Sequence, residues 1–267
     1  MPRHMLSDAQ WSQISGFMPP TDGPGQPWKD HRTVVNGIVW ILRTGSPWRD
    51  LPEEFGKWKT VYERFRRWTG ECLWGRILKA LQVQRNAQGE IDWELFCIDG
   101  SVVRAHKAAA GGGENGPPEE PTDHALGRSR GGFSTKLHLV CDATGWIIAV
   151  LLSPGQQNEC TMFDDVMGQV FSSSFSGDLK RLAGDKGYSS KAIREWLREV
   201  GIEDVIAHRS NETRDEDFDT ECYRRRNIVE RTIGRLKEFR RIATRYEKLA
   251  TNYKAMIDVA SILQYIT

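Results

Sequence analysis

This chain is expected to fold as an α/β protein, with a mixed sheet flanked by helices and a small N-terminal helical domain in front. Three features support that. Up to about residue 84 the apolar residues recur at helical spacing, as in Val34, Val35, Ile38, Val39, Ile41 and Leu42. After Asn86–Gly89 the period becomes that of strands. From there the order is three strands, the last two in a hairpin, then helix, strand, helix, strand, helix, which gives a mixed rather than a purely parallel sheet. A chain of 267 residues can bury a sizeable core and hold one or two domains. The boundary is placed near residue 86, with a helical unit of 1–86 and a second unit of 87–267.

Ser7-Asp8 caps a short first helix, and Pro19-Pro20 ends it. The Gly- and Pro-rich stretch to Pro27 reads as a loop. Asp30 caps the next helix and Gly45 stops it. Pro47 to Pro52 is a rigid connector. A third helix opens at Lys59-Thr60, with Val61, Tyr62, Phe65 and Trp68 on one side and Arg64, Arg66 and Arg67 on the other. A fourth runs from about Glu71 to Gln84. A basic helix after a buried one fits a helix-turn-helix reader of DNA, and it fits a packing module with a cationic surface equally well.

In the second unit Leu95–Ile98 is a buried strand with Asp99 at its C-terminal end. Residues 108 to 126 form a low-complexity loop expected to be mobile. Thr135–Cys141 and Trp146–Leu152 pair through the turn Asp142–Gly145. A helix spans Glu159 to about Val170. Leu182-Ala183 is a short strand running into Gly184-Asp185-Lys-Gly-Tyr188. Ser190 caps a helix to about Val200, Asp204–Ala207 is the last strand, and a final helix lies near Tyr253–Tyr265. An RNase H-like domain has this succession.

The balance of 37 basic to 36 acidic residues is close to neutral, so the charge that matters is local. Residues 209 to 222 hold six acids and two Arg, and a basic helix follows. Five Cys without a CxxC pair argue against a disulfide framework or a zinc ribbon and for a reducing cytosol. No apolar run approaches a membrane span and no secretion signal is visible, so a cytoplasmic, nucleoid-associated protein without a membrane partner is expected.

The stretch from Tyr223 to Lys237 reads as one uninterrupted helix. At about 100° per residue, Tyr223, Arg226, Glu230 and Lys237 fall within roughly 60° of arc. From Tyr223 to Lys248 there are ten Lys or Arg against three Glu. A lone carboxylate among cations suits a group that holds a metal beside phosphates, although charged helix faces are often only solvated. If the two acid-bearing strands are neighbours and this helix crosses them, Asp99, Asp185 and Glu230 converge. Carboxylate oxygens are ligands for Mg²⁺. Two such ions about 3.5–4 Å apart clamp the attacking and leaving oxygens of an in-line phosphoryl transfer. Asp92, Asp142, Asp164 and Asp165 are rival carboxylates. His106 and His138 read as hydrogen-bonded or phosphate-facing. Arg128-Ser-Arg130-Gly-Gly132 is either a phosphate-gripping loop or a hairpin entry.

Ile98-Asp-Gly-Ser-Val-Val-Arg-Ala-His106, Trp40 to Pro52, Gly127 to Gly132, Thr135-Lys-Leu-His138, Asp185-Lys-Gly-Tyr188 and the Tyr-x2-Arg-x3-Glu-x6-Lys pattern of Tyr223, Arg226, Glu230 and Lys237 carry a resemblance. The chain resembles bacterial insertion-sequence DDE transposases of the IS-four/IS-five superfamily, nearer the IS-five type. That resemblance implies an RNase H-like core with Asp99, Asp185 and Glu230 as the catalytic, metal-binding triad. It implies two divalent ions, Mg²⁺ with Mn²⁺ able to substitute, and cutting at terminal inverted repeats with joining of 3′ ends to target DNA. It places Tyr223, Arg226 and Lys237 near the cleaved end. Arg64, Arg66, Arg67, Arg104, His106, Arg128, Arg130, Lys136, Arg240 and Arg241 complete the expected contacts to double-stranded DNA. A homodimer, at least on DNA, follows from the two ends to be processed. Two departures stand out: Gly100-Ser101 follows the first acid where many relatives have Ser-Thr, and only 44 residues separate Asp185 from Glu230, too few for a large insertion domain. Two rival readings are a non-catalytic sequence-specific DNA-binding protein and a metal-dependent nuclease without strand transfer.

Overall fold

A computed structural model of the chain describes residues 5–20, 30–112, 116–172, 177–210, 212 and 218–266. The first helices form as their caps dictate. α1 (Asp8–Ser15) begins with a capping box, in which Ser7 Oγ accepts from Gln10 N at 3.1 Å and Gln10 Oε1 accepts from Ser7 N at 3.0 Å. α2 (His31–Thr44) is capped by Asp30, which accepts from Thr33 N, and ends at Gly45 with φ of 71°. The connector holds two single-turn 3-10 helices, Trp48–Asp50 and Glu53–Phe55. α3 (Trp58–Gly70) and α4 (Leu73–Ala87) follow, with Cys72 in the left-handed region between them. Most of the loop expected before Pro27 lies outside the described residues.

The sheet is built from β1 (Phe96–Ala105), β2 (Gly127–Ser129), β3 (Gly132–Asp142), β4 (Ile147–Pro154), β5 (Arg181–Gly184), β6 (Glu203–Ile206) and β7 (Thr244–Arg245). β1 lies between antiparallel β3 and parallel β5; β4 pairs antiparallel with β3, and β6 pairs parallel with β5. The order β4-β3-β1-β5-β6 with β3 reversed is that of an RNase H-like domain. Between strands run α5 (Phe163–Phe171) and α6 (Lys191–Glu199), and after β6 come α7 (Thr220–Arg225), α8 (Asn227–Lys237), α9 (Arg240–Ala243) and, past β7, α10 (Ala250–Tyr265).

Each face of the sheet has its own apolar core. Phe96, Ile98, Val140 and Ile148 pack with Phe163, Val166, Ile193 and Leu197 of α5 and α6. Cys97, Val103, Leu137 and Leu139 face the other way, into a continuous cluster with Ile228, Val229 and Ile233 of α8, Met256, Val259 and Ile262 of α10, and Val34, Ile38, Ile41 and Phe65 of the N-terminal helices. The helical unit therefore completes its core on α10, from the far end of the chain.

Three local expectations are corrected. β1 does not stop at Asp99. The β-branched Val102 and Val103 carry it six residues further, paired to β3 as far as Arg104 with Ser134. The Tyr223–Lys237 stretch is not one helix, because the α-helical ladder breaks at Arg226, between α7 and α8. The loop of 108–126 is fixed in its second half. Glu120 accepts from Ala250 N at 2.6 Å and Thr251 N at 2.9 Å, which satisfies free donors at the start of α10.

Candidate active site

The register of two parallel strands sets the site. Ile98 of β1 pairs with Gly184, the last residue of β5, so Asp99 and Asp185 are the next residues of adjacent strands at the same level. β1 continues there and β5 turns away, with Asp185 Oδ1 accepting from Gly187 N at 2.8 Å. Glu230 lies on α8, which packs on β1 and β3 through Ile228, Val229 and Ile233.

Asp99 is mostly buried. Burial pushes its carboxyl up, Arg226 opposes, and the negative charges of Asp185 and Glu230 add to the rise, leaving it at about 6. Both other acids thus act on Asp99 through space. The cation between them is Arg226. Its Nη2 donates to Glu230 Oε1 at 2.5 Å and its Nη1 lies 3.8 Å from Asp99 Oδ1, while its guanidinium carbon sits 5.5 Å from the centre of the Tyr223 ring. Lys237, the last residue of the pattern, donates to Ser101 Oγ at 2.7 Å and Val102 O at 3.2 Å. Two of the four residues in the helical pattern, Arg226 and Lys237, thus reach β1 or the acid on it.

Among the described residues no group of three or more His, Cys, Asp or Glu side chains is placed to hold a metal ion as the side chains stand. The donor chemistry nonetheless fits a hard divalent cation. The three groups are carboxylates, and a guanidinium already stands between two of them. Asp99, Asp185 and Glu230 would hold the ion once Glu230 is released from Arg226. The rival Asp142 is committed to its own turn, accepting from Thr144, Gly145 and Trp146 amides.

Of the cations expected on DNA, Arg66, Arg67, Arg104, Arg128, Arg130 and Arg240 are exposed, as is His106. Three others are corrected. Arg64 is 7% exposed, with Nη1 at 2.9 Å from His31 Nδ1 and its guanidinium over Trp68, because its helix position falls on the buried side with Val61 and Phe65. Arg241 is 6% exposed and pairs with Glu247 at 2.7 Å. Lys136 is buried on β3 between β1 and β4, donating to Gln157 O at 2.7 Å and Glu159 Oε1 at 3.0 Å.

Sequence reasoning missed Glu159 and the polar line beneath the acids. Tyr188 is fully buried, its hydroxyl 3.4 Å from His138 Nδ1, and His138 Nε2 is 2.8 Å from Ser153 Oγ. Burial, aided by Lys136, pushes His138 down to about 4, so it is a neutral hydrogen-bonding group. The signal that could have exposed Glu159 is a pair of glycines, Gly100 directly after Asp99 and Gly187 two residues after Asp185.

The family profile described as "Transposase DDE domain" matches residues 93–263. The chain belongs to that family. It is therefore a bacterial insertion-sequence transposase of the DDE type, a polynucleotidyl transferase. Residues 6–78 match a second profile, "Putative transposase of IS4/5 family", so the helical front of this DDE transposase is itself a family feature. The chain is 37% identical over 107 residues to "Uncharacterized protein y4sN" of Sinorhizobium fredii, covering 40% of this chain and 81% of that one. It is 32% identical over 148 residues to "Putative transposase for insertion sequence element IS402" of Burkholderia cepacia, covering 54% of this chain and 65% of that one. Among solved structures, "Mos1 transposase paired-end complex with left transposon end" aligns over 86% of this chain and 85% of that one at 12% identity and a TM-score of 0.29, a likeness too coarse to carry residue roles. No helix among the described residues is long and apolar enough to cross a membrane.

Proposed function

We propose that this DDE transposase, of the IS-five type, cuts DNA at the terminal inverted repeats of an insertion sequence and joins the exposed 3′ ends to target DNA. Asp99, Asp185 and Glu230 are its catalytic acids. The observation that carries this reading is the pairing of Ile98 with Gly184, which delivers two acids together beneath the helix bearing the third. The three acids hold two divalent ions, Mg²⁺ with Mn²⁺ able to substitute, and these supply activation of the nucleophile and neutralisation of the leaving oxygen in an in-line displacement at phosphorus.

The chain's own groups do the rest. Asp99 stands on β1 opposite Leu139 of β3, one residue past the last pair with β5, so its backbone is held in register. Arg226 and Lys237, together with Tyr223, lie beside the acids and grip the scissile strand through its phosphates. Arg104, Arg128, Arg130, His106 and Arg240 extend the contact along the duplex. The unit of residues 1–86 presents Arg66 and Arg67 of α3 to the same DNA. Two ends require two such sites, so the active form on DNA is a homodimer in the bacterial cytoplasm.

The test is cleavage and joining by the full chain of double-stranded DNA carrying the element's inverted repeats, with Mg²⁺ or Mn²⁺. Glu230→Gln, Asp99→Asn and Asp185→Asn should each lower both steps by about a thousandfold or more. Activity surviving in Glu230→Gln overturns its role. Cleavage without joined products leaves a nuclease, and repeat-specific footprints without cleavage leave a DNA-binding protein.

A further inference from the structure

After β4 the chain turns back over the sheet and brings another acid to the site. Glu159 opens a single helical turn, Glu159–Met162, capped by Asn158. Its carboxylate is held at one oxygen, where Lys136 Nζ lies 3.0 Å from Oε1; the two side chains are only 22% and 11% exposed. The rest of the group fills space left by two glycines. A Cβ on Gly100 would stand 2.7 Å from both Cγ and Oε1 of Glu159, and one on Gly187 would stand 2.0 Å from Oε2. Neither glycine has a positive φ, so the backbone does not demand glycine there. At both positions a side chain would meet Glu159.

The same point at Gly187 lies 2.7 Å from Asp185 Oδ1, so the two carboxylates are neighbours across that residue. The segment also grips the turn from outside. Cys160 Sγ donates to Gly187 O at 2.9 Å, and Arg209 Nε donates to Lys186 O at 3.0 Å. The turn that carries the second acid, residues 185 to 188, is short; it is held by these contacts, by its own hydrogen bonds and by the buried Tyr188 ring at its end.

We propose that Glu159 is a positioning residue of the transposase reaction: clamped by Lys136 and seated in the space of Gly100 and Gly187, it fixes the Asp185 turn and orients the Asp185 carboxylate for the metal. This rests on Asp185 being a metal-binding acid, as argued under the proposed function. Groups that orient a metal ligand typically change metal affinity about ten- to a hundredfold when removed.

The experiment uses the full chain without DNA, with two measurements: hydrogen exchange of residues 185–188 in metal-free buffer, and Mn²⁺ binding followed by electron paramagnetic resonance. Glu159→Ala should speed exchange in the turn about tenfold, leave α10 unchanged, and raise half-saturating Mn²⁺ about tenfold. Glu159→Gln, which keeps the shape, should show the Mn²⁺ effect with a smaller change in exchange. Gly100→Ala should reproduce Glu159→Ala, since its methyl evicts the carboxylate, and the double variant should be no worse than either. Wild-type exchange and Mn²⁺ saturation in both Glu159 variants overturn the proposal, as do Gly100→Ala effects that add to those of Glu159→Ala. If Asp185→Asn binds Mn²⁺ like the wild type, the metal reading of Asp185 falls, and the exchange data still decide whether Glu159 holds the turn.

Discussion

Arg226 donates to Glu230 at 2.5 Å while its other terminal nitrogen lies 3.8 Å from Asp99, so one guanidinium is shared by two of the three acids. In the metal-free protein this cation does part of what a divalent ion would do. Metal and Arg226 then compete for Glu230. Arg226→Gln should therefore bind Mn²⁺ several-fold more tightly in calorimetric titration while binding DNA ends more weakly. Weaker Mn²⁺ binding in that variant would show that Arg226 supports the site rather than occupying it.

The ionisation of Asp99 sets a pH window. Its carboxyl stands at about 6 in the folded protein against an ordinary value of 3.8, because burial and two neighbouring acids outweigh Arg226. Between those values the folded state keeps a proton that the unfolded state has lost, so stability falls as pH rises through the window, by at most about 3 kcal/mol. Chemical denaturation from pH 4 to 7 in chelator should show the fall, and Asp99→Asn should flatten it. Mn²⁺ affinity should run the other way, rising about tenfold per pH unit below 6 and levelling above, since the ligand must be deprotonated.

Two kinds of arginine lie on α3, and salt separates them. Arg66 and Arg67 are exposed, so replacing both with Ala should reduce the salt slope of DNA binding by about two, with little change in melting. Arg64 is buried against His31 and Trp68, so Arg64→Ala should lower stability by about 2–4 kcal/mol and leave the slope unchanged. Fluorescence anisotropy at several salt concentrations, with thermal melts, reads both.

Glu120 supplies the cap for a helix it does not belong to. Burial alone would raise its carboxyl, but the amides of Thr251 and Ala250 outweigh that and hold it below its ordinary range. A lowered value means the bond stabilises the fold above the ordinary carboxylate range and is lost as pH falls through the folded value. Glu120→Ala should cost about 1–2 kcal/mol at neutral pH and less in acid, by denaturant melts at pH 7 and pH 3.

Much of this was legible from local chemistry. Ser7, Asp30, Gly45 and Ser190 mark helix ends by side-chain or backbone bonds that act within four residues, so spacing alone reveals them. The sheet order was reachable because a hairpin and two later strands leave few arrangements. What escaped was long-range. Asp99 was expected at a strand end, yet β3 pairs with β1 well beyond it, and that pairing is invisible in a four-residue apolar run. Arg64, Lys136 and Arg241 looked like surface cations, yet His31, Glu159 and Glu247 claim them from 33, 23 and 6 positions away. Glu159 has no motif of its own, only the absence of side chains at two glycines.

Helices α2 to α4 close their apolar surface on Met256, Val259 and Ile262 of α10. The N-terminal helices thus have no separate core to fall back on: whatever loosens α10 uncovers their apolar side as well, so the two parts should melt in one transition rather than two.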